Sequence, residues 1–197
     1  LAPALVKEGH DVFAIRLEKK NSFEEKDFYG TRVFSYTPEK SSTPQIHPLI
    51  SDFETKIIRS EAILIRAKEL KEKGLSPDLI IAHPGWGETM FIKKIWPSAK
   101  LAIYCEYYYQ LKGSDVGFDK EFSSVDTSFG CKLDMKNLVH TVQFPTVDYA
   151  ISPTNWQAST FPSEFRSKIT VIHDGIDTQI VKPNPKASVL LNNQIKI

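Results

Sequence analysis

An imidazole, an indole and a carboxylate stand together in His83-Pro84-Gly85-Trp86-Gly87-Glu88, directly after the apolar run Leu79-Ile80-Ile81-Ala82. The run reads as a buried strand, and Pro84 with the two glycines must end it. Glycine has no Cβ, so a ligand can come close to the main chain there. Three more runs end in polar junctions of the same kind. Cys105-Glu106 leads into Tyr107, Tyr108 and Tyr109. Ser152-Pro153-Thr154-Asn155-Trp156-Gln157 feeds a helix start, with Thr154 or Ser152 as its cap. His173-Asp174-Gly175-Ile176-Asp177 closes the fourth. In open α/β sheets, ligands bind where the carboxyl ends of strands converge. Carboxylates, amides and aromatic faces in that place suit a sugar, which shows both CH faces and hydroxyls.

Such convergence requires the runs to lie parallel, with helices between them. Leu1 to Glu8 reads as the end of an apolar-faced helix capped by Gly9, followed by a strand over 11–15. A second strand covers 32–36, and a Pro/Ser/Thr-rich connection follows over 37–48. Ser51-Asp52-Phe53-Glu54 fits a capping box for a helix running through Ile57, Ile58, Ile63, Leu64, Ala67 and Leu70 to Gly74. Strands are expected over 77–82, 101–105, 149–152 and 169–172, with helices over 89–95 and 155–161. Alternation of this kind implies a mostly parallel sheet with right-handed crossovers and helices on both faces. The mixed charges over 16–27 read as a solvated loop. Residues 107–132, rich in Gly, Ser, Asp and Phe, are long for a connection without structure, so they read as a functional excursion or a partly disordered one.

Composition narrows the class. At 197 residues the chain suits one ordinary domain, and 41% hydrophobic with 25% charged residues is a globular balance. A net charge of +1 gives no electrostatic case for nucleic acid. No apolar stretch approaches the ~20 residues that span a bilayer. Cys105 and Cys131 form neither a zinc spacing nor a CxxC pair and read as reduced thiols. GxGxxG after a strand, GxxxxGK[ST] and GxSxG are all missing, which leaves dinucleotide, P-loop and α/β-hydrolase readings unsupported. The five histidines show no metal-ligand spacing, so the sequence offers no metal site.

The strand-end pieces PDLIIAHPGWGET, CEYYY, SPTNWQASTFP and ITVIHDGIDT, with the opening LAPALVKEGHDV, resemble the N-terminal domain of a glycosyltransferase family 4 group protein. The resemblance spans nearly the whole chain. It implies the N-terminal half of a GT-B fold, in which this Rossmann-like domain mainly binds the acceptor. A nucleotide sugar, UDP- or GDP-linked, would sit on a C-terminal donor-binding domain, and no cofactor is expected in this one. Residues 1–182 then form the acceptor-side domain, its first strand and loop expected before Leu1, and 183–197 form a linker toward the donor domain. The reaction implied is hexosyl transfer with retained configuration to a glycan, a lipid-linked acceptor or a small glycoside. Without the second domain, the chain by itself is expected to be inactive. The location implied is cytoplasmic and in some such families peripheral at the membrane, although no basic amphipathic helix argues for that here.

Under the resemblance, His83 takes the position of an imidazole facing the reacting sugar; otherwise it is tied to local backbone. Gly85 and Gly87 allow the turn, with ligand approach as a consequence. Trp86 either packs under the loop or stacks on a sugar, and Glu88 either accepts an acceptor hydroxyl or sits in the first turn of a helix. Glu106 is a stronger candidate than Tyr107 and its neighbours, because three consecutive tyrosines cannot all face one site. Asn155 either touches ligand or caps its helix together with Trp156. His173, Asp174 and Gly175 belong at the cleft edge, while His10, His47 and His140 have no constellation and read as structural or exposed. The competing class is a non-catalytic α/β module that binds a sugar or a protein.

Overall fold

The computed structural model describes residues 1–18, 26–119, 121, 127–185, 187–188, 190–191 and 195–196. Helix α1, Ala2–Lys7, ends as its sequence requires: Gly9 at φ +88° lets its own amide and that of His10 turn back to Val6 and Leu5. Strand β1, Phe13–Leu17, pairs in parallel with β3, Thr31–Tyr36. Strand β2, Lys26–Phe28, pairs antiparallel with β3 and falls at the end of the segment expected to be loop. Strands β4 (Leu79–Ala82), β5 (Lys100–Tyr104), β6 (Tyr149–Ser152) and β7 (Ile169–Val171) form a second sheet in that order, parallel throughout. Among the described residues no ladder joins the two sheets, yet Phe34 and Tyr36 share one core with Leu101 and Ile103.

Helix α2, Pro48–Glu72, starts three residues ahead of the expected capping box. Pro48 fits the first turn with its fixed φ, and the His47 imidazole accepts from the Leu49 amide at 3.2 Å. Ser51 therefore lies inside the helix, and Glu54 instead accepts from the Thr43 amide at 2.9 Å. The buried stripe of α2 runs Lys56, Ser60, Ile63, Ala67, Leu70, spaced alternately by four and three. Its apolar half closes the core, and its polar half turns toward the strand ends.

The α-helix expected over 89–95 is absent. Two short 3-10 turns, Pro84–Trp86 and Ile92–Lys94, occupy the stretch. Gly87 at φ +82° stops the first turn, and Pro97 disfavours helical backbone at Trp96. Helix α3, Thr127–Gln143, begins inside the long excursion and was not legible in the sequence. Of its buried residues, Leu133, Asn137, Val139, His140 and Gln143, three are polar, so hydrophobic periodicity is weak. Helices α4 (Asn155–Thr160) and α5 (Ser163–Arg166) link β6 to β7. Near the end, β8 (Leu190–Leu191) pairs antiparallel with β9 (Ile195–Lys196), so the expected linker carries strand pairing of its own.

Candidate functional site

Because β4 to β7 are parallel, their carboxyl ends share one edge. There a cavity of about 340 Å³ opens between the strand-end loops and helices α2 and α3. Its volume lies in the range of small-molecule sites. The loop after β4 lines it with His83, Gly85 and Trp86, and the chain after β5 with Glu106, Tyr107 and Tyr109. Asp52, Lys56 and Arg59 come from α2; Lys136 and His140 come from α3.

Local chemistry fixes the His83 ring. Its Nδ1 accepts from the Gly85 amide at 3.1 Å, so the neutral imidazole carries its proton on Nε2. That N–H donates to Glu106 Oε2 at 3.0 Å. A Cβ at position 85 would lie 2.8 Å from His83 Cε1, so a side chain there would push the ring out of this position. At Gly87, where φ is +82°, a Cβ would lie 2.7 Å from the Lys56 carbonyl oxygen, so the loop is seated directly on the α2 backbone. From α3, the fully buried Gln143 amide donates to the Pro84 carbonyl at 3.0 Å and accepts from the Thr89 hydroxyl at 2.6 Å. Nothing in the sequence singled out Gln143, one polar residue at the end of an unread helix.

The β5 loop is pinned the same way. Asn137 on α3 accepts from the Tyr109 amide at 2.9 Å and donates to its carbonyl at 2.8 Å. Tyr108 turns inward, its ring 5.5 Å from that of Phe161, while Tyr107 and Tyr109 meet edge to face at 5.3 Å on the cavity side. Trp86 does not pack beneath its loop: it is 56% exposed, and the Arg59 guanidinium sits 5.0 Å from its ring centroid.

Five candidates from the sequence come together in the cavity: His83, Gly85, Trp86, Glu106 and Tyr107. Gly87 shapes the loop without lining it, and Glu88 is engaged by the Tyr36 hydroxyl, in no helix at all. Asn155 is an exposed first residue of α4, whose cap is Thr154, accepting from the Gln157 amide at 3.1 Å. Trp156 is likewise exposed, its ring 5.7 Å from that of Tyr107. His173, Asp174 and Gly175 are exposed beside the cavity rather than in its wall. Asp174 accepts from the Tyr104 hydroxyl at 2.8 Å, which ties the β7 loop to β5.

His140 corrects the sequence reading, which gave it no constellation. It is buried in the cavity wall, its ring 5.7 Å from that of Tyr108. Desolvation, helped by the nearby His83 and Lys56 charges, lowers it to about 4, so it is neutral at pH 7. Cys105 is a fully buried free thiol pushed up to about 12 by desolvation, so it is no nucleophile at neutral pH; Cys131 is free and exposed. Burial first, then the Asp174 carboxylate, lifts Tyr104 to about 12. Among the described residues no three His, Cys, Asp or Glu side chains could hold a metal ion, and no helix is long and apolar enough to cross a membrane.

A parallel α/β sheet flanked by helices, with a polar and aromatic cavity at its strand ends, is the Rossmann-like architecture of the kind that makes one half of a GT-B fold. The chain belongs to the glycosyl transferase family 4 group, whose family model matches residues 8–181. No curated protein matches the chain.

Proposed function

We propose that this chain is the acceptor-binding domain of a retaining, nucleotide-sugar-dependent glycosyltransferase of the hexosyltransferase type, with the cavity beside His83 as its acceptor site. The observation that carries the reading is the ordered pair at the cavity wall: Gly85 amide to His83, and His83 to Glu106. Once turned from Glu106, the His83 Nε2–H is a directed donor for the leaving phosphate oxygen, which gains negative charge as the sugar–phosphate bond breaks and the acceptor oxygen takes its place on the sugar. Glu106, exposed on its other flank, offers a carboxylate to the hydroxyl that attacks. Trp86 and Tyr107 supply the aromatic faces against which a sugar ring lies.

The donor, a UDP- or GDP-sugar, belongs on a partner domain of the same protein facing this strand edge, and the chain alone transfers nothing. Retention of configuration is supported by the likeness of the strand-end motifs to the family. A cytoplasmic setting fits two free thiols, one of them exposed. The test is transfer from a panel of UDP- and GDP-sugars by the protein carrying both domains. His83→Ala should abolish most of that transfer. Equal rates from wild type and variant would remove His83 from the reaction, and sugar binding without any transfer would favour a non-catalytic module.

A further inference from the structure

The charges that line the cavity do not cancel within it. On α2, Lys56 is paired with Asp52, and across the cavity Glu106 is engaged by His83. With the imidazoles neutral, Lys56, Arg59 and Lys136 outnumber Asp52 and Glu106 by one positive charge, and Arg59 and Lys136 are the two cations with no carboxylate on them. Arg59 lies against the Trp86 ring at 5.0 Å, and Lys136 has its ammonium 3.8 Å from the Tyr109 ring centroid. Neither forms an ion pair among the described residues. Arg59 also lies near the Tyr36 phenol, whose hydroxyl donates to Glu88. An aromatic face holds a cation in place without consuming its hydrogen bonds, so both groups keep donors for something else.

A third, independent feature points the same way. His140, 4% exposed, has no hydrogen-bond partner at Nδ1, although its ring lines the cavity. A buried polar atom left without a partner is costly, so it marks a place where a ligand hydroxyl would be repaid. Two unpaired cations from packed helices and one unmet ring nitrogen are what an acidic, hydroxyl-bearing ligand needs.

We infer that the acceptor bound by this cavity carries an anionic group, a phosphate or a carboxylate, recognised by Arg59 and Lys136, with His140 meeting one of its hydroxyls. This rests on the acceptor reading above and adds the substrate's charge to it. Arg59 presents a planar fork that suits either acid, whereas Lys136 acts as a point charge.

The test is titration of the chain, followed by amide NMR shifts around the cavity, with glucose 6-phosphate, glucuronate, glucose and inorganic phosphate. At about 50 mM NaCl, where exposed charges are weakly screened, both acidic sugars should bind roughly tenfold more tightly than glucose. Raising the salt should erode that preference, and the double variant R59Q/K136Q should remove it. Both substitutions lie on accessible helix faces, and the salt series on the unaltered chain tests the same point independently of folding. Glucose binding as well as the acids, or acids binding the double variant unchanged, overturns the charge assignment while leaving the acceptor site standing. Inorganic phosphate binding as tightly as glucose 6-phosphate overturns the assignment to a sugar acceptor. If none of the sugars moves the cavity amides, both this inference and the acceptor reading fall.

Discussion

The loops after β4 and β7 contain the same local device in two settings. In His83-Pro84-Gly85 and in His173-Asp174-Gly175, the histidine Nδ1 accepts from the glycine amide two residues on, at 3.1 Å and 3.0 Å. Both rings therefore carry the neutral-state proton on Nε2. Beyond that the loops diverge. The first is seated on the α2 backbone, tied by Gln143 to α3, and aims its N–H at Glu106 in a cavity wall. The second is exposed, touches the fold through Tyr104–Asp174, and takes no part in the wall of that cavity. An H-x-G turn orients an imidazole; the packing around it decides whether the orientation is used.

The comparison breaks most sharply on activity. His83→Ala should lower kcat by about 10²-fold or more in the protein carrying its donor domain, the scale of losing one directed donor. His173→Ala should change it less than about twofold, because that ring is outside the cavity. Comparable losses from the two, measured as initial transfer rates, would erase the distinction.

Stability separates the loops next. Gly87→Ala combines a left-handed backbone with collision against Lys56, and should destabilise by about 3 kcal/mol in urea unfolding. Gly175→Ala faces open space at φ +78° and should cost only about 1 kcal/mol, the conformational part alone.

Acid should then loosen the first loop through its support. His140 sits on α3 with a folded value near 4 against an ordinary 6.5, so between those values the unfolded chain binds the extra proton. Its contribution to stability is complete above pH 6.5 and disappears as pH falls toward 4. Between pH 7 and pH 5 the loss should be about 2 kcal/mol, and His140→Leu should flatten that slope in denaturant titrations at the two pH values. Last, Tyr104→Phe removes the hydrogen bond that Asp174 accepts and should cost about 1 kcal/mol, with the shift confined to amides near 173–175 in NMR.

Much of this was legible in the residues. The runs around Ile80, Ile103, Ile151 and Thr170 are short, apolar and β-branched, bounded by turn residues, and they became the parallel sheet. His83 and Glu106 stood out because each follows such a run directly. The far wall of the cavity did not. Lys56, Arg59, Lys136 and His140 are polar side chains that α2 and α3 turn toward the cavity, and periodicity counts only apolar ones. Asn137 and Gln143 were hidden for the same reason: they are buried because they satisfy loop backbone, which no spacing rule encodes. Glu54 shows the converse. A sequence signature was present, but Pro48 upstream supplied a better start and released the carboxylate to Thr43.

The seam between the two sheets has a mechanical meaning. Across it no backbone ladder runs among the described residues; what crosses is side-chain packing around Phe34 and Leu101, and the Tyr36 hydroxyl on Glu88. Hydrogen-bonded ladders share strain from strand to strand, whereas packed side chains can part and close again as a unit. The β1–β3–β2 piece is thus a separable block leaning on the site-bearing sheet, and amide exchange should divide into two protection levels along that line. Whatever pushes on β3 reaches the cavity by two routes, the Tyr36–Glu88 contact beside the His83 loop and the packing of Phe34 and Tyr36 against α2, which lines the cavity.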